Sequence, residues 1–504
     1  MNGKGNTGID RNDSTDSSNR ASAKCLLVPA LLLFLVACAP KIPNIEPPVA
    51  LPERFSNTGS EVIPDRWWTA FEDPQLNVLV DSALVNNLDL AAIWQQFKAA
   101  QAVAKREGAD LWPQIETSAQ SAISRPQPDF AGGENIQLGI SASYEFDLWG
   151  RIRTAVQAEK FRATASLADY RTAAITLSAE IALAWYRLLA AKKQLALAEQ
   201  QITTNEKIIT TIRARFGSGQ VRAVDILRQL QLLESTKDQK VVFETNVRLF
   251  ENQLAVLLGK SPGTVSQIPG ISGFSSTPGT APIASETLGS SESPEIPGMD
   301  FPELTALPKT GLPLDLVRRR PDVQSAYDQL LAADMEMASA VRSQYPRLST
   351  QLTGQLRAND FQNLFQNWAY SLAGNLVAPL FYGRRLHAEV DRTEAIKTQA
   401  LYQYGQAVLT AFQETENALI RDIKQKERIA ILEKQVELAG KTNRQLRLEF
   451  LNGLTPYLDV LLALDQEQQL RRDMIEAEVE QLEIRISLYR ALAGGFESRE
   501  VAVP

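Results

Sequence analysis

Cysteine and histidine are almost missing from this chain: Cys25, Cys38 and His387 are all it has of either among 504 residues. A disulfide framework, a zinc site or a Cys/His nucleophile pair each needs more than that. The composition therefore argues against an enzyme and offers no metal or cofactor site. Positive charge is not in excess. The net charge is −7, whereas a nucleic-acid partner requires clustered Lys and Arg, so none is expected. Near the N-terminus the apolar run Cys25–Val36 falls short of the roughly 20 residues that span a bilayer as a helix. Proline, finally, is missing between Gly150 and Phe216.

That last absence permits one very long helix. Leu167, Ala174, Ile181, Leu188, Leu195, Ile202, Ile209 and Phe216 recur every seventh residue. A second stripe, Tyr170, Leu177, Ala184, Ala191, Ala198 and Ile212, follows three residues on, with only Asn205 polar. This is an a/d heptad, which keeps one seam of a helix facing a partner. At about 1.5 Å per residue the helix would be roughly 100 Å long. Phe216-Gly217-Ser218-Gly219 breaks it, because glycine adopts the turn conformations that end helices. Val221 to Leu258 then returns as a second helix, making a long hairpin.

The hairpin occurs twice. Trp112-Pro113 matches Tyr345-Pro346, and Leu148-Trp149-Gly150-Arg151 matches Phe381-Tyr382-Gly383-Arg384. Phe216 and Gly219 match Phe450 and Gly453, Asp225 matches Asp459, and Leu258 matches Leu492. The landmarks from Phe216 onward lie one residue further apart than the earlier ones, and such a series in the same order is the mark of an internal repeat. Each repeat opens with a shorter helix, Leu88–Trp112 and Pro321–Tyr345, stopped by the proline that follows.

Between those helices and the hairpins the period changes to two. Ile136, Leu138, Ile140, Ala142, Tyr144, Phe146 and Leu148 alternate with polar residues, and Ile115–Ile123 alternates more weakly beside them. Leu348, Leu352 and Leu356, then Trp368, Tyr370, Leu372, Leu376 and Leu380, repeat the pattern. Such strands have one apolar and one polar face. A soluble sheet with one wet face would read the same way. Their length of about ten residues also matches a membrane strand, and membrane strands must close into a barrel. Four per chain are too few, so the chain should oligomerise.

The expected division is 1–37 signal peptide, 38–85 tether and entry segment, 86–260 repeat one, 261–315 linker, 316–495 repeat two and 496–504 tail. Most of the linker, rich in Ser, Thr, Gly and Pro, is expected to be disordered or wrapped irregularly outside.

Three further blocks carry a resemblance. Leu35-Val36-Ala37-Cys38 resembles a bacterial lipobox, which implies acylation at Cys38; Ala39 after it implies outer-membrane delivery. Trp67-Trp68-x-x-Phe71-x-Asp73-Pro74-x-Leu76 and Leu316-Val317-Arg318-Arg319-Arg320-Pro321-Asp322 are similar to signatures of the outer membrane efflux proteins, over residues 62 to 495. Read from the residues alone, the aromatics also suit a core and the arginines suit pairing with acids.

The resemblance implies an α+β membrane protein of two internal repeats. Three chains would form a homotrimer with a 12-stranded β-barrel, four strands from each, continued by a barrel of antiparallel coiled-coil helices across the periplasm. It implies a tripartite efflux pump: a periplasmic adaptor, an inner-membrane transporter of RND or ABC type, and this chain as a passive exit duct for drugs or other small toxic compounds, seated in outer-membrane lipid. An exit duct for type I protein secretion would share the architecture; a trimeric coiled-coil scaffold would not need the strands. The adaptor would dock on the tips, Phe216-Gly217-Ser218-Gly219-Gln220 and Phe450-Leu451-Asn452-Gly453-Leu454. There the glycines make the turn, while Gln220 and Leu454, expected to begin the return helices, are left for contact. Asp459 is implied as a ring of carboxylates at the tunnel constriction, a single ring because Leu462 stands three residues later. Its other reading, shared with Asp225, is a carboxylate complementing the dipole of an early helical turn.

Overall fold

A computed structural model describes residues 48–50, 52–62, 64–123, 134–263, 300–304, 306–311, 313–358 and 361–492. After a 3-10 turn at Trp67–Phe71 come α1 (Pro74–Asn86), α2 (Leu88–Gly108), β1 (Gln114–Ile123), β2 (Glu134–Phe146), α3 (Arg151–Gly217) and α4 (Ala223–Leu257). Then follow α5 (Pro313–Arg319), α6 (Pro321–Arg342), β3 (Arg347–Ala358), β4 (Trp368–Val377), α7 (Arg385–Leu451) and α8 (Tyr457–Leu492). The two long helices have 67 residues each, and their return helices 35 and 36.

Element ends fall short of the sequence expectation wherever a proline stands close by. Trp112 before Pro113 is extended (φ −118°, ψ 152°), so α2 ends at Gly108 and a 3-10 turn at Ala109–Leu111 bridges the gap. A residue before proline is pushed out of the helical region. The same restriction ends α6 at Arg342 instead of Tyr345 and delays α8 from Leu454 to Tyr457, after Pro456. Pro379 stops β4 at Val377, not Leu380. At β2 the cause differs: Asp147 leaves the strand to accept the N–H groups of Ile152 (3.1 Å) and Arg153 (2.9 Å), capping α3.

The chain forms two compact units, and both repeats contribute to each. The first, Gln101–Arg162 with Leu330–Gln399, holds one antiparallel sheet in the order β1-β2-β3-β4. Its register pairs Ile115 with Ala142, Ala142 with Leu352, and Leu352 with Leu372. Residues paired across strands share a face. One face therefore carries Ile115, Ile140, Tyr144, Phe146, Leu348, Leu352, Tyr370, Leu372 and Leu376, and the other Glu116, Gln137, Ser141, Glu145, Arg347, Gln351, Gln355 and Asn375. The apolar face is bare over most of its area: Ile140, Leu352 and Leu372 are 58%, 48% and 72% exposed. At one end only, Leu364 covers Ile136 and Ala358. Exposed apolar area on that scale is a surface meant for an apolar phase or a partner.

The second unit comprises the described residues of Pro47–Ala100, Ala163–Gln329 and Ala400–Pro504. The heptad seam of α3 lies in its core: Ala174, Ile181, Leu188, Ala184, Ala198 and Ile212 are 0–1% exposed. Phe216, the last a position, is instead 47% exposed, because the helix ends there and no further turn covers it. Trp67 and Phe71 pack on Tyr489 at 6.0 and 5.6 Å, and the Trp67 indole donates to Ser178 Oγ at 3.1 Å. The aromatic opening motif is thus core. Arg320, 7% exposed, donates to both carboxylate oxygens of Asp322 (3.0 and 2.7 Å), to Glu414 (2.8 Å) and to the Ala491 carbonyl (3.2 Å).

The described end of the linker, 300–304 and 306–311, is irregular chain laid against the second unit. Phe301 and Leu304 pack against the core, and Gly59 and Ser60 donate backbone N–H groups to the carbonyls of Pro308 and Leu307 at 3.0 and 3.1 Å. Pro313 at the first helical position and Asp315 in the first turn start α5, so helix begins before the boundary expected at 315. Residues 264–299 and Cys38 lie outside the described residues.

Candidate functional site

The two tips are built alike. At the end of α3, Gly219 N–H donates to Phe216 O at 2.9 Å and Gln220 N–H to Arg215 O at 3.0 Å; at the end of α7, Gly453 donates to Phe450 O at 3.0 Å and Leu454 to Glu449 O at 2.9 Å. This is the paired bonding of a Schellman turn, which needs one left-handed residue. Gly219 and Gly453 supply it, each at φ +75°. Gln220 and Leu454 therefore do serve the turn, through their backbone N–H groups, and the return helices start only at Ala223 and Tyr457. Their side chains remain exposed, Leu454 at 76%. Gly217 closes α3, Ser218 Oγ donates to Arg215 O at 2.9 Å, Asn452 N–H donates to Leu448 O at 3.1 Å, and Leu451 is 50% exposed.

A residue that sequence reasoning missed joins the tips. Arg215 donates to the carbonyls of Phe450 (3.4 Å) and Leu451 (3.3 Å), and its guanidinium lies 5.1 Å from the Phe450 ring centre. Behind it Phe450 meets Tyr457 at 5.3 Å, within a small core of Ile208, Ile212, Val221, Val460, Leu461 and Leu464. No periodicity flags Arg215, since its partners are backbone atoms far along the chain.

Under that core lies a buried polar layer. Tyr457 donates to Gln229 Oε1 at 2.6 Å, Gln229 and Gln468 donate to Asn205 Oδ1 at 3.1 and 3.3 Å, and Asn205 donates to Thr236 Oγ1 at 3.3 Å. Burial pushes the Tyr457 phenol well above its ordinary value, so it stays a neutral donor. Here Asn205, the one polar residue of the seam, is fully buried and matched across α3, α4 and α8. A polar seam position of this kind fixes register, since any slip leaves it without partners.

Asp225 and Asp459 occupy the same place in their helices but not the same surroundings. Asp225 is 3% exposed, accepts from the Arg222 side chain at 3.1 Å and has the Arg228 guanidinium at 3.6 Å. It is a helix cap. Asp459 is half-buried in the first turn of α8 and accepts from the Thr455 hydroxyl at 2.9 Å. No cation pairs with it among the described residues.

A family model described as outer membrane efflux protein matches residues 79–260 and 312–494. The chain belongs to the outer membrane efflux protein family. It is 27% identical over 492 residues to the pyoverdine export outer membrane protein OpmQ of Pseudomonas aeruginosa, covering 95% of this chain and 98% of that one. It is 24% identical over 487 residues to the cation efflux system protein CusC of Escherichia coli, covering 94% and 99%. Among solved structures, the outer-membrane channel OprN matches with a TM-score of 0.78 at 25% identity, over 90% of this chain and 98% of that one. As an outer membrane efflux protein, the chain is an outer-membrane channel that extends into the periplasm.

Proposed function

We propose that this chain is the passive exit duct of a tripartite efflux pump, working as a homotrimer and without catalysis. One observation carries the reading: a four-stranded sheet with one bare apolar face, one polar face and two unpaired edge strands. In a membrane every backbone group must be paired, so the edges must close. Four strands cannot close a barrel. Three copies supply twelve, with the apolar face toward lipid and the polar face lining water. The two long hairpins, one from each repeat, continue the conduit as a coiled-coil barrel. Their tips receive a periplasmic adaptor and, through it, an inner-membrane RND or ABC transporter. An acyl chain on Cys38 adds a second hold on the outer membrane; intact mass of the purified protein should show a lipidated chain starting at residue 38. The cargo is drugs or other small toxic compounds, and a wide water-filled pore needs no fitted pocket for them.

Planar-bilayer recording tests the duct. Purified protein should give discrete conductance steps, and their absence would overturn the proposal. The same recording tests Asp459 as a ring of three carboxylates, since such rings favour cations. Asp459→Asn should lower cation selectivity and block by multivalent cations from the periplasmic side, while Asp225→Asn should change neither. Selectivity unaltered in Asp459→Asn would leave that carboxylate only its bond to Thr455.

A further inference from the structure

Resting on the trimeric reading, we infer the register in which β4 of one copy pairs with β1 of the next: Leu376 stands opposite Ala119 of a second copy, and Leu372 opposite its Ile123. The inner seam of the sheet supplies the template. Gln114 and Arg347 each follow the proline of a matching Trp-Pro or Tyr-Pro pair, and Gln114 pairs with Ser143 as Arg347 pairs with Val377. By strand pairing the two hairpins therefore superpose, β1 on β3 and β2 on β4, with Ser143 falling on Val377; the chain after β4 is one residue shorter than that after β2, so that Leu148 still matches Phe381. Between them, β2 meets β3 with Ala142 opposite Leu352 and Leu138 opposite Leu356. Carried onto the outer edges, Ala142 becomes Leu376, Leu352 becomes Ala119, Leu138 becomes Leu372, and Leu356 becomes Ile123.

The transposed register keeps the faces in phase. Leu376, Leu372 and Ala119 all lie on the apolar face, so the bare face would run unbroken across the junction. A slip by one residue would turn one copy's apolar row toward the polar side of the next. Only slips of two or more compete, and the inner seam selects against those.

Burial points the same way. Where a residue of the inner seam is covered, its counterpart at the outer edge is bare. Leu348 is half-buried whereas Ile115 is 69% exposed, and Ala142 is half-buried whereas Leu376 is 70% exposed. Beyond the strands, Leu148 is half-buried whereas Phe381 is 85% exposed. The Trp149 indole donates to the Pro346 carbonyl at 2.7 Å and its ring lies 5.3 Å from Tyr345; Tyr345 is 46% exposed, and Trp112, which matches it, 73%. Each outer edge lacks what the inner seam has, which is the neighbouring repeat. A second copy of this chain supplies it. One contact has no counterpart: Arg342 donates to the Gly150 carbonyl at 2.9 Å, and Ala109 stands at the position matching Arg342.

Cysteine cross-linking tests the register, in a chain that has no cysteine of its own after Cys38. Directly opposed residues of antiparallel strands lie about 4.5–5.5 Å apart at Cα, within disulfide reach, and a shift of two residues takes them beyond about 7 Å, out of reach. The double variant Leu376→Cys, Ala119→Cys, oxidised in outer-membrane fractions, should give covalent oligomers on a non-reducing gel. The shifted pairs Gly374→Cys, Ala119→Cys and Ala378→Cys, Ala119→Cys should give none, as should the unsubstituted chain. Native mass of the unsubstituted protein is measured alongside. A trimer in which only a shifted pair cross-links, or no pair does, overturns the register and leaves the trimer standing. A monomeric native mass overturns the trimeric reading itself.

Discussion

Asp422→Ala should lower the stability of the folded chain by about 3–5 kcal/mol, the cost of breaking a buried ion pair from one side. Asp422 and Arg485 are both fully buried. The guanidinium donates to the two carboxylate oxygens at 3.0 and 3.2 Å, and Gln481 donates to the carboxylate at 2.8 Å. Removing the carboxylate leaves a positive charge in a dry interior, with Lys426, now 3.6 Å from that carboxylate, adding repulsion. Replacing both partners, as Asp422→Leu with Arg485→Met, should restore most of the loss, since the desolvation penalty goes with the charges. Thermal unfolding of the detergent-solubilised protein reads both variants. Arg485 also donates to the Ala306 carbonyl at 3.2 Å, so Asp422→Ala should speed proteolysis within 300–311. Equal stability of wild type and Asp422→Ala would show that the cation finds other compensation.

Leu454→Asp should abolish efflux while leaving the protein folded and in the outer membrane. Its side chain is 76% exposed, and only its backbone N–H serves the turn. An exposed substitution of this kind changes stability by no more than about 0.5 kcal/mol. A charge placed in an apolar docking surface, by contrast, must be desolvated on binding and costs several kcal/mol if it stays unpaired. Gln220→Asp at the other tip should act in the same direction, because Arg215 ties the two loops into one surface. Drug susceptibility of cells carrying each variant gives the readout, with outer-membrane abundance measured in parallel. Resistance kept at the wild-type level by Leu454→Asp would remove that tip from the docking surface.

Much of this is legible in the residues alone. The heptad of Leu167 to Ile212 identified a core seam because burial on one helix face leaves a strict 3.5-residue period. The alternation in Ile136–Phe146 and Trp368–Leu376 identified strands with two unlike faces, since successive side chains point to opposite sides. Gly219 and Gly453 marked the tips, as only a residue free of Cβ enters the left-handed region at no cost. The motif at Arg320-Pro321-Asp322 marked a helix start correctly, down to the proline at its first position.

Other features depended on partners distant in the chain. Arg215 reads as an ordinary basic residue in the last turn of a helix, and its hold on Phe450 and Leu451 depends on a loop 235 residues away. The different surroundings of Asp225 and Asp459 follow from side chains that matching positions do not share. Likewise, composition gave no sign that the end of the linker packs on the core, because Phe301 and Leu304 follow a long stretch of Ser, Gly and Pro.

By itself, the sequence determined the kind and order of the elements, the duplication of the hairpin, and the membrane to which the chain belongs. Those properties are written in local periods and in motifs, each of which answers to the backbone of a few residues at a time. Only the tertiary structure decided that β2 lies beside β3, how the two tips are joined, and which charges are buried together. Register, ion pairing and the joining of the tips are set by groups that meet across hundreds of residues, and a local period carries no record of its distant partner.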